Sequence, residues 1–176
     1  MKTYIALFRG INVGGNNILP MKDLVKILEG MGFKDVKTYI QSGNVVFKSD
    51  PINTKTIAKE ISGKLLKKFG FEPTVILLEK GEFKKIADKS PFKTSEGKTL
   101  HIFFIESEPR NPDLKALNEV KSSTEEFKLL KNVFYLYAPD GIGRSKLAAT
   151  VEKKLGATAT GRNWNTISKL IEMAEQ

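Results

Sequence analysis

Cysteine is absent from this 176-residue chain, and histidine occurs once, at His101. The first absence excludes disulfides, thiolate catalysis and cysteine-based zinc sites, without identifying a redox compartment. The second leaves a hydroxyl nucleophile such as Ser42 with a single imidazole as its base. His101 lies inside an apolar strand pattern between Leu100 and Ile102, which points to a structural role. Long apolar runs are missing too. The opening Met-Lys-Thr-Tyr-Ile-Ala-Leu-Phe meets Arg9 before it reaches the length of a signal peptide's apolar core, and no run approaches the roughly 18 residues of a membrane span. A soluble, cytoplasmic protein with no membrane partner is the expectation. Acidic charge is in deficit, with 20 Asp and Glu against 29 Lys and Arg, a net charge of +9. The excess gathers in residues 1–90, which hold 16 basic and 9 acidic groups. Such a balance favours encounter with phosphorylated molecules or nucleic acid, although it speaks to solubility and association rate more than to a specific site.

What the chain does contain is a readable alternation of elements. Thr3 to Phe8 is a strand with apolar residues on both faces, as a central strand requires. Met21, Leu24, Val25, Leu28 and Met31 recur at helical spacing behind Pro20, with Gly32 placed to end the helix. Strands over 36–40 and 45–48 flank Gln41-Ser42-Gly43-Asn44, a hairpin connection. Ile57, Ile61, Leu65 and Phe69 form the stripe of a second helix, and 74–78 is a fourth strand. This order is the split crossover of a ferredoxin-like α+β fold. Right-handed crossover then places the loop 9–17 and the hairpin 41–44 side by side at one edge of the sheet. The second half reads as an incomplete, rearranged copy. It offers a short helix at Phe83 and Ile86, a strand over 99–105 and a helix over 112–120. A hairpin over 125–137, a helix at Leu147, Val151 and Leu155 closed by Gly156, and a terminal helix at Ile167 and Leu170 follow. Residues 89–98 serve as linker, giving an N-terminal domain of 1–90 and a second, smaller related α+β domain of 91–176 with C-terminal helices.

Three glycine- and asparagine-rich segments stand out, at 9–17, 41–44 and 160–166, each read as a loop with exposed N–H groups and amides. Gly10 and Gly15 have the separation of a phosphate-binding loop, but Asn16 and Asn17 replace its Lys and Ser or Thr. Gly14 and Gly15 therefore read equally as a tight turn or as ligand contacts. Ser42-Gly43-Asn44 reads first as hairpin chemistry. Gly143-Arg144-Ser145-Lys146 sets two cations at a helix start, against the helix dipole, as a bound anion would allow. Asn163 or Asn165 is available to cap the last helix, and Trp164 to anchor it. Tyr4, Phe8, Tyr39 and Phe47 alternate onto one sheet face, as in single-stranded RNA readers, but packing against the second half is the favoured reading. Asp140 and the other carboxylates show no metal-coordinating spacing, and no cofactor is indicated.

Arg9-Gly10-Ile11-Asn12-Val13-Gly14-Gly15, the segment 38–47, Gly143-Arg144-Ser145-Lys146-Leu147 and the segment 160–166 together resemble a bacterial family called domain of unknown function 1697. The resemblance implies a cytoplasmic α+β protein of two small domains, and no established reaction, cofactor or catalytic residue. The combined expectation is a phosphorylated or nucleotide-like ligand at a site between the two halves. It would be held by Arg9, Asn12, Gly14, Gly15, Ser42, Asn44, Arg144, Lys146, Arg162, Asn163 and Asn165, with any chemistry resting on electrostatic stabilisation. A non-catalytic interaction module and an RNA-binding protein are the competing expectations.

Overall fold

The computed structural model describes residues 1–176. The chain divides into two compact units, Met1–Lys85 with Lys169–Gln176, and Ile86–Ser168. In the first, the strands are β1 (Lys2–Phe8), β2 (Lys34–Tyr39), β3 (Asn44–Ser49) and β4 (Val75–Glu79), joined by the helices α1 (Met21–Gly30) and α2 (Thr54–Phe69). The sheet order is β2-β3-β1-β4, antiparallel throughout, which is the expected ferredoxin-like arrangement. Leu24 and Leu28 face the sheet one helical turn apart, fully buried, each worth about 2 kcal/mol of transfer free energy. Asn53 caps α2 by accepting the Thr56 N–H, and Ile61 and Leu65 form the buried stripe of that helix.

α3 (Lys80–Asp88) leads to β5 (Leu100–Ile105), α4 (Leu114–Val120), β6 (Glu126–Leu130), β7 (Val133–Tyr137), α5 (Lys146–Leu155), β8 (Ala159–Asn163) and α6 (Trp164–Glu175). The second sheet has the order β6-β7-β5-β8, again antiparallel. Strand for strand this is the topology of the first sheet, so the second half is a complete copy rather than an incomplete one. The element missing from the sequence reading is β8. Thr160-Gly161-Arg162 carries no aliphatic run to announce a strand, yet it pairs with Phe104, Phe103 and Ile102. Gly161 fits because Phe103 fills the space beside it: a Cβ there would lie 2.9 Å from the ring.

The aromatic face of the first sheet also differs from expectation. Tyr4, Phe8 and Phe47 are at most 2% exposed and pack with Leu24, Leu28, Ile61 and Leu65 beneath α1 and α2. They belong to the core of their own unit, which removes them from a nucleic-acid stacking surface. Residues 89–98 are no slack tether either. Thr94 accepts from the Glu96 N–H, Thr99 closes the same turn, and Gly97 accepts from the Trp164 N–H at 3.0 Å.

Candidate functional site

The predicted meeting of the loop after β1 with the β2–β3 hairpin is present. Phe8 donates its N–H to Gly43 O at 2.9 Å, and Asn12 bridges the two segments. The Asn12 Nδ2 donates to Gln41 O at 2.8 Å and to Leu19 O at 3.0 Å, while its Oδ1 accepts from the Leu19 N–H at 2.7 Å. Beyond it, the Asn16 N–H returns to Val13 O at 2.9 Å around Gly14 and Gly15, both at positive φ as a two-residue hairpin turn demands. Asn17 ties the base of this small hairpin to Gly10 O.

Asn12 is thus a brace: its amide is spent on backbone, contrary to the ligand-orienting role expected for it. Removing it should loosen the edge. Asn12→Ala is expected to cost about 2 kcal/mol, from three lost hydrogen bonds and a non-glycine residue left at φ 53. Chemical denaturation checks the value, and Asn12→Gly, which tolerates that φ, isolates the hydrogen-bond part.

Other predicted site residues are committed in the same way. Asn44 lies in β3 rather than in a loop, fully buried, and donates to Tyr39 O and Ser42 Oγ. Arg162 lies on β8, 8% exposed, and its guanidinium donates to Thr160 Oγ1 at 2.6 Å and to Gly161 O at 2.9 Å. Burial pushes its pKa down to about 10. Asn163 caps α6 through the Thr166 N–H, and Asn165 packs so closely on Gly97 that a Cβ there would lie 1.9 Å from its Oδ1. The expectation of an exposed cationic loop over 160–166 is corrected on each of these points.

Arg144 and Lys146 are exposed, on either side of Ser145, which caps α5 through the Ala148 N–H. The anion expected at that helix start is supplied by the protein itself. Glu125, 5% exposed, accepts a short hydrogen bond from Ser145 Oγ and a second from the Ser122 N–H. Its carboxylate thereby sits at the dipole's positive end. Sequence reading missed Glu125 because it stands just before β6, 20 residues ahead of the Ser145 cap it serves. Asp140 is likewise held, by Thr124.

Beside the exposed Arg9, Asn16, Asn17 and Gln41, the edge of the first unit exposes three large apolar residues. Val13 is 61%, Ile18 56% and Ile40 51% exposed. Val13 and Ile18 lie in the loop that Asn12 braces, and Ile40 precedes the Gln41 to which it is braced. Ile40 is also held at φ 51, a conformation that β-branched residues avoid.

The second unit repeats the strand-end hydrogen bonds of this edge with shorter connections and different side chains. Ile105 donates to Asn132 O as Phe8 does to Gly43, and Glu106 to Thr158 O as Arg9 does to Thr74. Lys131, the first residue after β6, has φ 53 where Ile40, the first after β2, has φ 51. Yet the connection leaving β5 is Glu106-Ser107-Glu108-Pro109-Arg110-Asn111, exposed and polar apart from a half-buried proline.

Residues 1–135 match the family described as Protein of unknown function (DUF1697). The whole fold is shared with a conserved bacterial protein from Streptococcus pneumoniae of known structure. That match has a TM-score of 0.71 at 22% identity and covers 98% of each chain. No curated protein matches. No helix is long and apolar enough to cross a membrane.

Proposed function

Since this chain belongs to the DUF1697 family, whose description assigns no reaction, we propose a function from its own geometry: a cytoplasmic interaction module that binds a protein partner. The binding edge is the rim formed by Val13, Ile18 and Ile40. The cytoplasmic placement rests on the sequence alone. One observation carries the reading, the contrast between equivalent edges of two units with one topology. The second unit makes the same strand-end hydrogen bonds through shorter connections, two residues between β6 and β7 against four between β2 and β3, and these carry glutamate, serine and lysine where the first unit exposes large apolar residues. Exposed apolar clusters on braced loops are characteristic of docking sites. The phosphorylated-ligand reading has lost support by comparison, because Arg162, Asn12 and Asn44 bond to the chain itself and Glu125 occupies the start of α5.

Ile40 gives a stability test of the same idea. If its side chain serves binding rather than folding, Ile40→Asn should raise stability by about 1 kcal/mol, because asparagine tolerates the left-handed conformation far better. A thermal melt that falls instead would assign Ile40 to the fold. Binding is checked by probing arrays of extended peptides with wild type and with the Val13→Ser/Ile40→Asn double variant. Peptides retained equally by both would remove the rim from consideration. ATP, sugar phosphates and short RNAs are expected to leave the melting temperature unchanged, and a saturable shift with any of them would restore the phosphorylated-ligand reading.

A further inference from the structure

We infer that the partner seated on this rim is an extended acidic segment carrying aliphatic side chains, an inference that rests on the interaction reading above and adds the chemistry of the occupant. The segments that carry the rim hold Arg9, Lys22 and Lys37 as exposed cations, against the half-buried Asp23 and the exposed Asp35. Lys22, exposed, stands in the first turn of α1, four residues beyond Ile18. Lys37, exposed on the edge strand β2, lies three residues before Ile40, a separation of about 10 Å along a strand. That is a little beyond the roughly 8 Å screening length at physiological ionic strength, so its field reaches a ligand on the rim attenuated, and more strongly at low salt. The Lys37 amine donates to the neutral amide of Gln176, and the nearby carboxylate of Asp35 is shared with Lys48 on β3, which pairs with it at 2.8 Å, so two cations answer to a single anion there.

The second unit supplies the contrast again. Where the first unit leaves its sheet through Arg9, the second leaves through Glu106, followed by Glu108. The two edges have diverged in sign as well as in polarity, as expected if the first answers to an acidic ligand. A second copy of this rim is a poor occupant. It would set Lys22 and Lys37 against their own counterparts, and the register irregularity between Lys34 and Lys37 further blunts β2 against pairing with another edge. An acidic segment turns the same lysines from a repulsion into a steering field.

The test uses the full chain and three fluorescein-labelled ten-residue peptide pools, read by fluorescence anisotropy. All share Leu, Ile and Val at alternate positions, and the remaining positions are Asp and Glu, Ser and Asn, or Lys. The acidic pool is expected to bind at least tenfold more tightly than the Ser/Asn pool, and the Lys pool more weakly than either. Val13→Ser/Ile40→Asn should lower acidic-pool affinity at least tenfold. Lys22→Ser/Lys37→Ser should erase the acidic preference and leave Ser/Asn binding in place. Equal binding of the acidic and Ser/Asn pools, with both lost in the rim variant, would overturn the acidic preference while leaving the interaction module standing. Binding that the rim variant does not change, or no binding by any pool, would overturn both. A dimer in light scattering that Ile40→Asn dissociates would assign the rim to a second copy and overturn the inference.

Discussion

Gly43→Ala is expected to destabilise the first unit by about 4 kcal/mol. The residue is buried in the β2–β3 turn at φ 79, where an L side chain is strained wherever it points. A Cβ there would also lie 2.5 Å from the Phe8 Cβ and 2.7 Å from the Ile11 Cδ1. Neither neighbour can yield. Phe8 is fixed by the strand whose terminal N–H bonds to Gly43 itself, and Ile11 is 1% exposed beneath the Asn12 brace. The two segments of the edge must therefore separate, so peptide binding should be lost with stability. Urea denaturation checks the first, and a cost below about 1 kcal/mol would mean that the contact between loop and hairpin is looser than described.

Acid should destabilise the second unit through His101. Burial pushes its pKa down from 6.5 to about 4. The Nδ1 finds no hydrogen-bond partner, the one buried side-chain nitrogen or oxygen in that condition. The unfolded chain takes up its proton near pH 6.5, whereas the folded chain does so only near pH 4. Between these values the unfolded state binds more protons, so stability falls as pH falls. The contribution is complete above pH 6.5 and lost by pH 4, and it amounts to at most about 3 kcal/mol. Urea unfolding at pH 7, 5.5 and 4 should show the decline, and His101→Leu should flatten it. An unchanged slope in that variant would place the acid sensitivity elsewhere.

The corresponding position in the first unit is Tyr4, whose hydroxyl accepts from the Ile52 N–H. The same place beneath the helices therefore holds a satisfied phenol in one unit and an unsatisfied imidazole in the other. That difference suits a structural histidine, as its neighbours Leu100 and Ile102 indicate.

Much of the fold was legible because its helices and strands carry their burial in their spacing. Leu24 with Leu28, Ile61 with Leu65, and Val151 with Leu155 each announce a helix face, and Gln41-Ser42-Gly43-Asn44 announces a turn. From those, the meeting of the 9–17 loop with the hairpin follows by handedness alone. β8 was illegible for the opposite reason. Its residues are held by pairing with β5 and by the ring of Phe103, and neither long-range partner leaves a mark in Thr160-Gly161-Arg162. The candidate site failed on a related ambiguity. Asparagine, glycine and arginine in loops serve a ligand and serve the chain's own carbonyls with the same donors, and spacing does not separate the two uses. Glu125 at the start of α5 and Asn12 across the β1 edge are both cases in which the protein supplies its own ligand. The exposed rim was passed over because Val13, Ile18 and Ile40 show no periodicity, and exposure is not written in composition.

A chain that carries one strand order twice in succession faces a hazard while it folds, since a hairpin from either repeat could dock into the other's sheet. Side-chain volume guards against this. Opposite each other across the central pair, the first sheet sets Ala6 against Val45, two small residues, and the second sets Phe103 against Phe134, two large ones. A hairpin that crossed over would set Phe134 against Ala6, one ring more than the first layer holds, and Val45 against Phe103, one ring fewer than the second layer holds, so the mismatch works as a lock and key between the halves of each repeat.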